Sequence, residues 1–196
     1  MPLPNLKDAL QRYDDLVGVG EIARRYFAMN AFDGVVTIIG VLAGCWMAGV
    51  EEVRVVLVTG LTTAAAIAVS GFWGAYLTES AERARDIREL EAQTLTSLEG
   101  TSHARAARVA VWIVTAVDGL SPFLAAVLVL TPFLIPGWTD VIFERYATAL
   151  GLALVVLFGL GLFLGRISRG SALVYGLKTL VAGVLAIAIS LLLGRL

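Results

Sequence analysis

Cysteine, histidine and catalytic motifs are scarce or missing in this sequence. Its single cysteine, Cys45, excludes an intrachain disulfide and a cysteine-based zinc cluster, so it says nothing about the redox compartment. The net charge of −1 gives no reason to expect a nucleic-acid partner. The chain has no phosphate-binding loop, no serine or cysteine triad and no HExxH zinc motif. We therefore predict neither enzymatic activity nor a permanently bound cofactor.

Charge is also sparse, and it is unevenly distributed. Charged residues make up 16% of the 196 residues, against about 25% in soluble proteins, while 58% are hydrophobic. Five long stretches, the third counted from Val109, hold at most one charged residue each, and a spanning helix needs roughly 20 apolar residues. These stretches predict an all-α polytopic membrane protein with five transmembrane helices, at about Tyr26–Val50, Val55–Thr78, Ala107–Leu134, Tyr146–Gly165 and Ser171–Leu193.

The basic residues predict an orientation in the bilayer. Eleven of the 15 lysines and arginines lie in the N-terminal arm or in the connections after spans 2 and 4, and three lie on the opposite side. Because basic loops stay in the cytoplasm, we expect a cytoplasmic N-terminus and an outside C-terminus. Residues 1–30 lack the pattern of a cleaved signal peptide.

The N-terminal segment differs in character from the rest of the chain. Apolar residues recur at helical spacing from about Leu6 to Ala28, which is typical of an amphipathic helix on a membrane surface. We therefore divide the chain into a cytoplasmic N-terminal helix, residues 1–25, and a five-helix transmembrane domain, residues 26–196.

The connection after span 2 is short and charged, covering residues 79–106. No proline or glycine ends span 2, so it should continue as charged helix through Glu79–Glu91 and break near Gly100. Span 3 contains Pro122 and Pro132, and a proline inside a spanning helix kinks its axis.

Two aspartates fall inside the apolar spans, each followed by a glycine. Asp33 and Gly34 lie in span 1, and Asp118 and Gly119 lie in span 3. A carboxylate there costs about 2.5–3.5 kcal/mol on insertion scales, so it commonly faces a cavity, an ion path or a partner. Oxygen ligands suit divalent cations, and carboxylates also relay protons. We predict a cation or proton path that these residues line; the alternative is that each aspartate only bonds to a neighbouring helix.

Four carboxylates form an acidic stripe where span 2 leaves the membrane. Their spacing of three, four and three residues places them on one helical face: Glu79, Glu82, Asp86 and Glu89. They are candidate metal ligands that would collect cations from the cytoplasm. The alternative is a solvated helix face, since Glu79 and Glu89 each have an arginine four residues away.

Small residues also recur at helical spacing in the first two spans. Gly40 and Gly44 in span 1, and Ser70 and Gly74 in span 2, leave room for close helix contacts within one subunit or across a dimer.

Several short motifs together resemble the vacuolar iron transporter family, most of all its short archaeal and bacterial members. The resemblance covers nearly the whole chain. The motifs that carry it are Arg24–Tyr26, Asn30–Gly34, the run AAAIAVSGFWGAYL at Ala64–Leu77 leading into Ser80 and Glu82, Asp118–Pro122 and Gly176–Gly183.

The resemblance implies a homodimer in a cell membrane that exports Fe²⁺ or Mn²⁺ from the cytoplasm, with protons as the exchanged ion. It also implies that Asp33 lines the pathway at the dimer interface and that Ser70 belongs to the same path. The chain departs from the family in three places. The 79–106 connection is too short for the large metal-binding domain of some members. The family's second-span methionine corresponds to Gly71, and an acidic residue that some members carry earlier in that span corresponds to Thr63. Asp118 is our candidate for a replacement carboxylate.

Two other functions remain open at the level of sequence. One is a membrane scaffold or partner-binding protein whose aspartates are structural. The other is a proton-coupled transporter of a different small solute.

Overall fold

The computed structural model describes residues 19–98 and 100–194, and these residues form helices with no strand among them. The helices are α1 (Val19–Met47), α2 (Val53–Thr94), α3 (Ser102–Val129), α4 (Thr131–Leu134), α5 (Ile142–Ile167) and α6 (Ala172–Leu193). All but the four-residue α4 are long and apolar enough to cross a membrane. The predicted all-α fold with five spans is therefore confirmed for the described residues.

Helix α1 begins earlier than the first predicted span. It runs unbroken from Val19 through the basic pair Arg24 and Arg25 into the apolar stretch. Arginine and glutamate are good helix formers, so the change from polar to apolar sequence does not end the helix. Residues 1–18, which hold most of the amphipathic helix predicted at about residues 6–28, lie outside the described residues.

The predicted continuation of span 2 into the charged connection is confirmed. Helix α2 has 42 residues, about 63 Å at 1.5 Å per residue, which is about twice the thickness of the hydrocarbon core. It ends at Thr94, and Gly100 takes a positive φ of 80° just before α3 starts, which is a conformation that glycine adopts without strain. The break therefore falls where the sequence placed it.

The predicted third span is too long at its C-terminal end. Helix α3 contains Pro122 but ends at Val129, and the separate short helix α4 begins at Thr131. Pro132 has no N–H to donate to the carbonyl of Leu128, and the hydroxyl of Thr131 donates to that carbonyl instead, at 2.7 Å. Because a side-chain hydroxyl takes the place of a backbone N–H here, the helix is interrupted between α3 and α4.

The described residues divide into two compact units. The first unit consists of Met1–Phe27 and Val69–Leu120, described from residue 19 onward. Its buried side chains include Ala75 of α2 and Ala110 and Val114 of α3. The ring of Trp112 lies 5.4 Å from that of Tyr76, between centroids.

The second unit consists of Ala28–Ala68 and Ser121–Leu196 and holds the larger core. Buried side chains of α1 recur at helical spacing, among them Val35, Ile39 and Leu42. Tyr146 of α5 is 2% exposed, and its hydroxyl donates to the carbonyl of Val50 at 2.9 Å. This bond ties α5 to the turn that follows α1.

Helices α5 and α6 touch through glycines in the second unit. A Cβ built on Gly161 would lie 2.6 Å from the Cα of Gly176, and one on Gly165 would lie 2.5 Å from the Cα of Ala172. Such backbone-to-backbone contact is how small residues hold spanning helices together.

Candidate functional site

Asp33 lies midway along α1, in the second unit, and its side chain is exposed. The next residue, Gly34, is buried against α3. A Cβ on Gly34 would lie 2.6 Å from the Cα of Pro122 and would overlap the carbonyl oxygen of Pro122. The close contact of the two backbones therefore fixes this part of α1, and it leaves Asp33 on the open side of the helix.

Asp118 has the opposite environment, in the first unit. Its side chain is only 7% exposed, and it faces α2 at Gly71. A Cβ on Gly71 would lie 3.0 Å from the Oδ2 of Asp118 and 3.1 Å from its backbone oxygen. Gly71 is thus the residue that leaves space for this carboxylate, and Gly119 beside it is buried.

Thr115 precedes Asp118 by one helical turn and was not singled out from the sequence. It is fully buried, and its hydroxyl oxygen makes no hydrogen bond within the part of the chain that the structure describes. A buried hydroxyl without a partner costs about 1–3 kcal/mol, so such a group is of interest beside a carboxylate. Its spacing of three residues from Asp118 is the signal that could have found it.

The acidic stripe does not behave as one uniform face. Glu79 is 4% exposed, accepts a hydrogen bond from the hydroxyl of Tyr26 at 3.4 Å and lies 3.5 Å from the Nε of Arg83. Tyr26 as a partner was missed, since nothing in the sequence connects residues 53 positions apart.

The other members of the stripe are open to solvent to varying degrees. Glu89 forms an exposed ion pair with Arg85 at 3.0 Å, Glu82 is exposed and Asp86 is half-buried. Among the described residues, no three histidine, cysteine, aspartate or glutamate side chains come close enough to hold a metal ion. Within the described chain, the stripe therefore supplies separate carboxylates and no such cluster.

The small residues of the first two spans have open space around them. A Cβ on Gly44, in the second unit, or on Gly74, in the first, would meet no atom within 4 Å. Ser70 is also exposed, and Gly40 is half-buried. Each unit thus presents small residues that its own helices do not cover.

Comparison with known proteins adds three findings. A profile of the VIT family matches residues 25–99, which include Asp33, Ser70 and the acidic stripe but not Asp118. An uncharacterized protein of Methanocaldococcus jannaschii is 30% identical over 173 residues, 87% of each chain. No solved structure matches.

Proposed function

This chain belongs to the VIT family, and from that premise we propose that it exports Fe²⁺ or Mn²⁺ from the cytoplasm in exchange for protons. The chain is an integral membrane protein, and its family is one of membrane metal-ion transporters. Which ion it carries, the direction of transport and the coupling to protons are parts of the proposal.

The observation that carries the proposal is the exposed carboxylate of Asp33 in the middle of an apolar helix. Facing lipid, a charged side chain at this depth costs about 2.5–3.5 kcal/mol. A second copy of the chain, or water in a path beside it, would remove that cost. The uncovered glycines Gly44 and Gly74 support the same interpretation, because small residues allow two copies to approach closely. We therefore propose a homodimer with Asp33 at its interface.

Asp118 supports a more specific proposal about selectivity. The family methionine that corresponds to Gly71 would crowd Asp118, because a Cβ there would lie 3.0 Å from the Oδ2 and 3.1 Å from the backbone oxygen of Asp118. In the proposed site, a hard oxygen ligand thus takes the place of a soft thioether. Carboxylates and carbonyls suit Mn²⁺, whereas thioethers select softer ions. We propose that Asp118 shifts the preference toward Mn²⁺ and that the acidic stripe, from Glu79 to Glu89, attracts cations to the pathway.

The test of transport uses purified protein in liposomes that contain a metal-quenched dye. We expect uptake of Fe²⁺ and Mn²⁺ by the wild type, and at most about a tenth of that rate for Asp33→Ala, because the carboxylate ligand is lost. Asp140→Ala is the matched control, since Asp140 is an exposed carboxylate outside the helices. Equal flux through Asp33→Ala would refute the assigned role.

Selectivity is tested by competition between the two metals. Asp118→Asn should lower the ratio of Mn²⁺ to Fe²⁺ flux, and the double variant Gly71→Met/Asp118→Gly should lower it further by returning a thioether to this place. An unchanged flux ratio in both variants would contradict the proposal for Asp118.

A further inference from the structure

A cavity of about 600 Å³ lies in the first unit, between the C-terminal half of α2 and the start of α3. Its volume is in the range of sites for small molecules, about 300–1,000 Å³. Neither intramembrane aspartate lines it, and it runs beside the acidic stripe along α2 without being lined by any of the four carboxylates of the stripe.

The charged side chains lining this cavity are mostly arginines. Among the described residues, Arg83, Arg88 and Arg108 line it together with a single carboxylate, Glu91. The carboxylate is already engaged, because its Oε1 accepts the backbone N–H of Leu98 at 2.8 Å. The described lining therefore carries three positive charges against one negative charge.

Two of these arginines have no partner among the described residues. In the described ranges, Arg88 and Arg108 form neither an ion pair nor a hydrogen bond. The Nε of Arg83 is buried without a hydrogen bond and lies 3.5 Å from Glu79. By contrast Arg85, which does not line the cavity, is paired with Glu89 at 3.0 Å. Arg88 and Arg108 therefore line the cavity with guanidinium groups that no described side chain neutralises.

The lining of the cavity is also partly apolar and aromatic. Tyr76 and Trp112 belong to it with their ring centroids 5.4 Å apart, and so do Val111, beside Trp112, and Ile87, beside Arg88. Trp112 is 58% exposed, and tryptophan and tyrosine concentrate where a protein passes from hydrocarbon to headgroups. The charged part of α2 begins at Glu79, just after Tyr76, so the cavity lies where the sequence changes from apolar to charged. It combines an apolar wall for a hydrocarbon tail with guanidinium groups for a headgroup.

We infer that this cavity binds a phosphate-bearing anion through the guanidinium groups of Arg83, Arg88 and Arg108. Guanidinium groups donate paired, charge-assisted hydrogen bonds that match phosphate oxygens. The phosphate can come from an anionic phospholipid or from a soluble phosphate ester. The aromatic wall favours the lipid, and both sources share the same recognition chemistry. This binding does not depend on which cation the protein moves.

The experiment measures binding to the full chain in an uncharged detergent by titration calorimetry. The probes are dioctanoyl phosphatidylglycerol, dioctanoyl phosphatidylcholine and glycerol 3-phosphate. We expect the anionic lipid to bind more tightly than the zwitterionic one, and its affinity to fall with added salt. Binding of glycerol 3-phosphate as tight as that of the lipid would assign the site to soluble phosphate esters, and weaker binding would assign it to lipid.

Variants separate this site from general attraction to a basic surface. Arg88→Gln/Arg108→Gln should weaken binding of the anionic lipid at least about tenfold, because two charge-assisted donors are lost. Arg85→Gln removes the same charge from the neighbouring turn and should leave the Kd within about twofold, since exposed pairs contribute little. If the double variant does not fold, Arg88→Gln alone, at an exposed position, should still weaken binding about threefold or more.

Three results would overturn the inference. The first is that no phosphate-bearing probe binds to the wild type. The second is that phosphatidylcholine binds as tightly as phosphatidylglycerol. The third is that Arg85→Gln weakens binding as much as the variants that line the cavity.

Discussion

Adding one methyl group at Gly34 should drive α1 and α3 apart where their backbones touch. In Gly34→Ala the new Cβ would lie 2.6 Å from the Cα and 2.8 Å from the carbonyl carbon of Pro122. Carbon atoms in contact prefer about 3.5–4.0 Å, so the helices must separate locally by about 1 Å. Overpacking costs about 1–3 kcal/mol, and we expect the upper half of this range because the crowded atoms are backbone and cannot change rotamer.

Thermal unfolding in detergent, followed by circular dichroism or by the loss of the gel-filtration peak, measures this cost. On the scale of about 2–4 °C per kcal/mol for a chain of this size, the midpoint should fall by about 4–12 °C. The matched control is Gly151→Ala in α5, where a Cβ meets nothing within 4 Å. It should leave the midpoint unchanged or raise it, because alanine favours a helix by about 1 kcal/mol. A midpoint for Gly34→Ala at or above that of the wild type would refute the contact.

Two hydrogen bonds give further stability predictions. Tyr146→Phe removes the donor to the carbonyl of Val50 and keeps the ring, so the free energy of unfolding should fall by about 0.5–1.5 kcal/mol; no change in a detergent unfolding midpoint would contradict this bond. Thr131→Val keeps the shape of the side chain but removes the hydroxyl that donates to Leu128 in place of Pro132. Thr131→Val should lower the free energy of unfolding by about 1 kcal/mol. An unfolding midpoint equal to that of the wild type would contradict this hydrogen bond.

The sequence was sufficient for the local features of the fold. The five spans could be predicted because an apolar run of about 20 residues is long enough to cross a bilayer. Inside the bilayer, such a run can satisfy its backbone N–H and C=O groups only as a helix. Gly100, with its positive φ, marked the connection just before α3, but the end of α2 at Thr94, where Leu95 takes a φ of 50°, had no such signal in the sequence. The sequence prediction placed the end of α3 too late. Pro132 cannot donate to the carbonyl of Leu128, and the sequence did not indicate that the hydroxyl of Thr131 would donate to it instead.

Contacts between helices were beyond the sequence. Nothing in the spacing of residues indicates that Gly34 meets Pro122, that Gly71 makes room for Asp118 or that Tyr26 donates to Glu79. Such pairs depend on which faces of distant segments pack together. The sequence could identify the carboxylates as costly in a membrane, but it could not distinguish the exposed Asp33 from the buried Asp118.

We propose that Asp33 acts in cation transport and does not merely hold the fold together. Its most direct test is the proton-driven uptake of Mn²⁺ into liposomes by Asp33→Asn, an uncharged side chain of nearly the same size. The variant should have the same oligomeric state and unfolding midpoint as the wild type while its uptake falls at least about tenfold, because a carboxylate ligand has been lost. Uptake at the wild-type rate by the folded variant would contradict the claim.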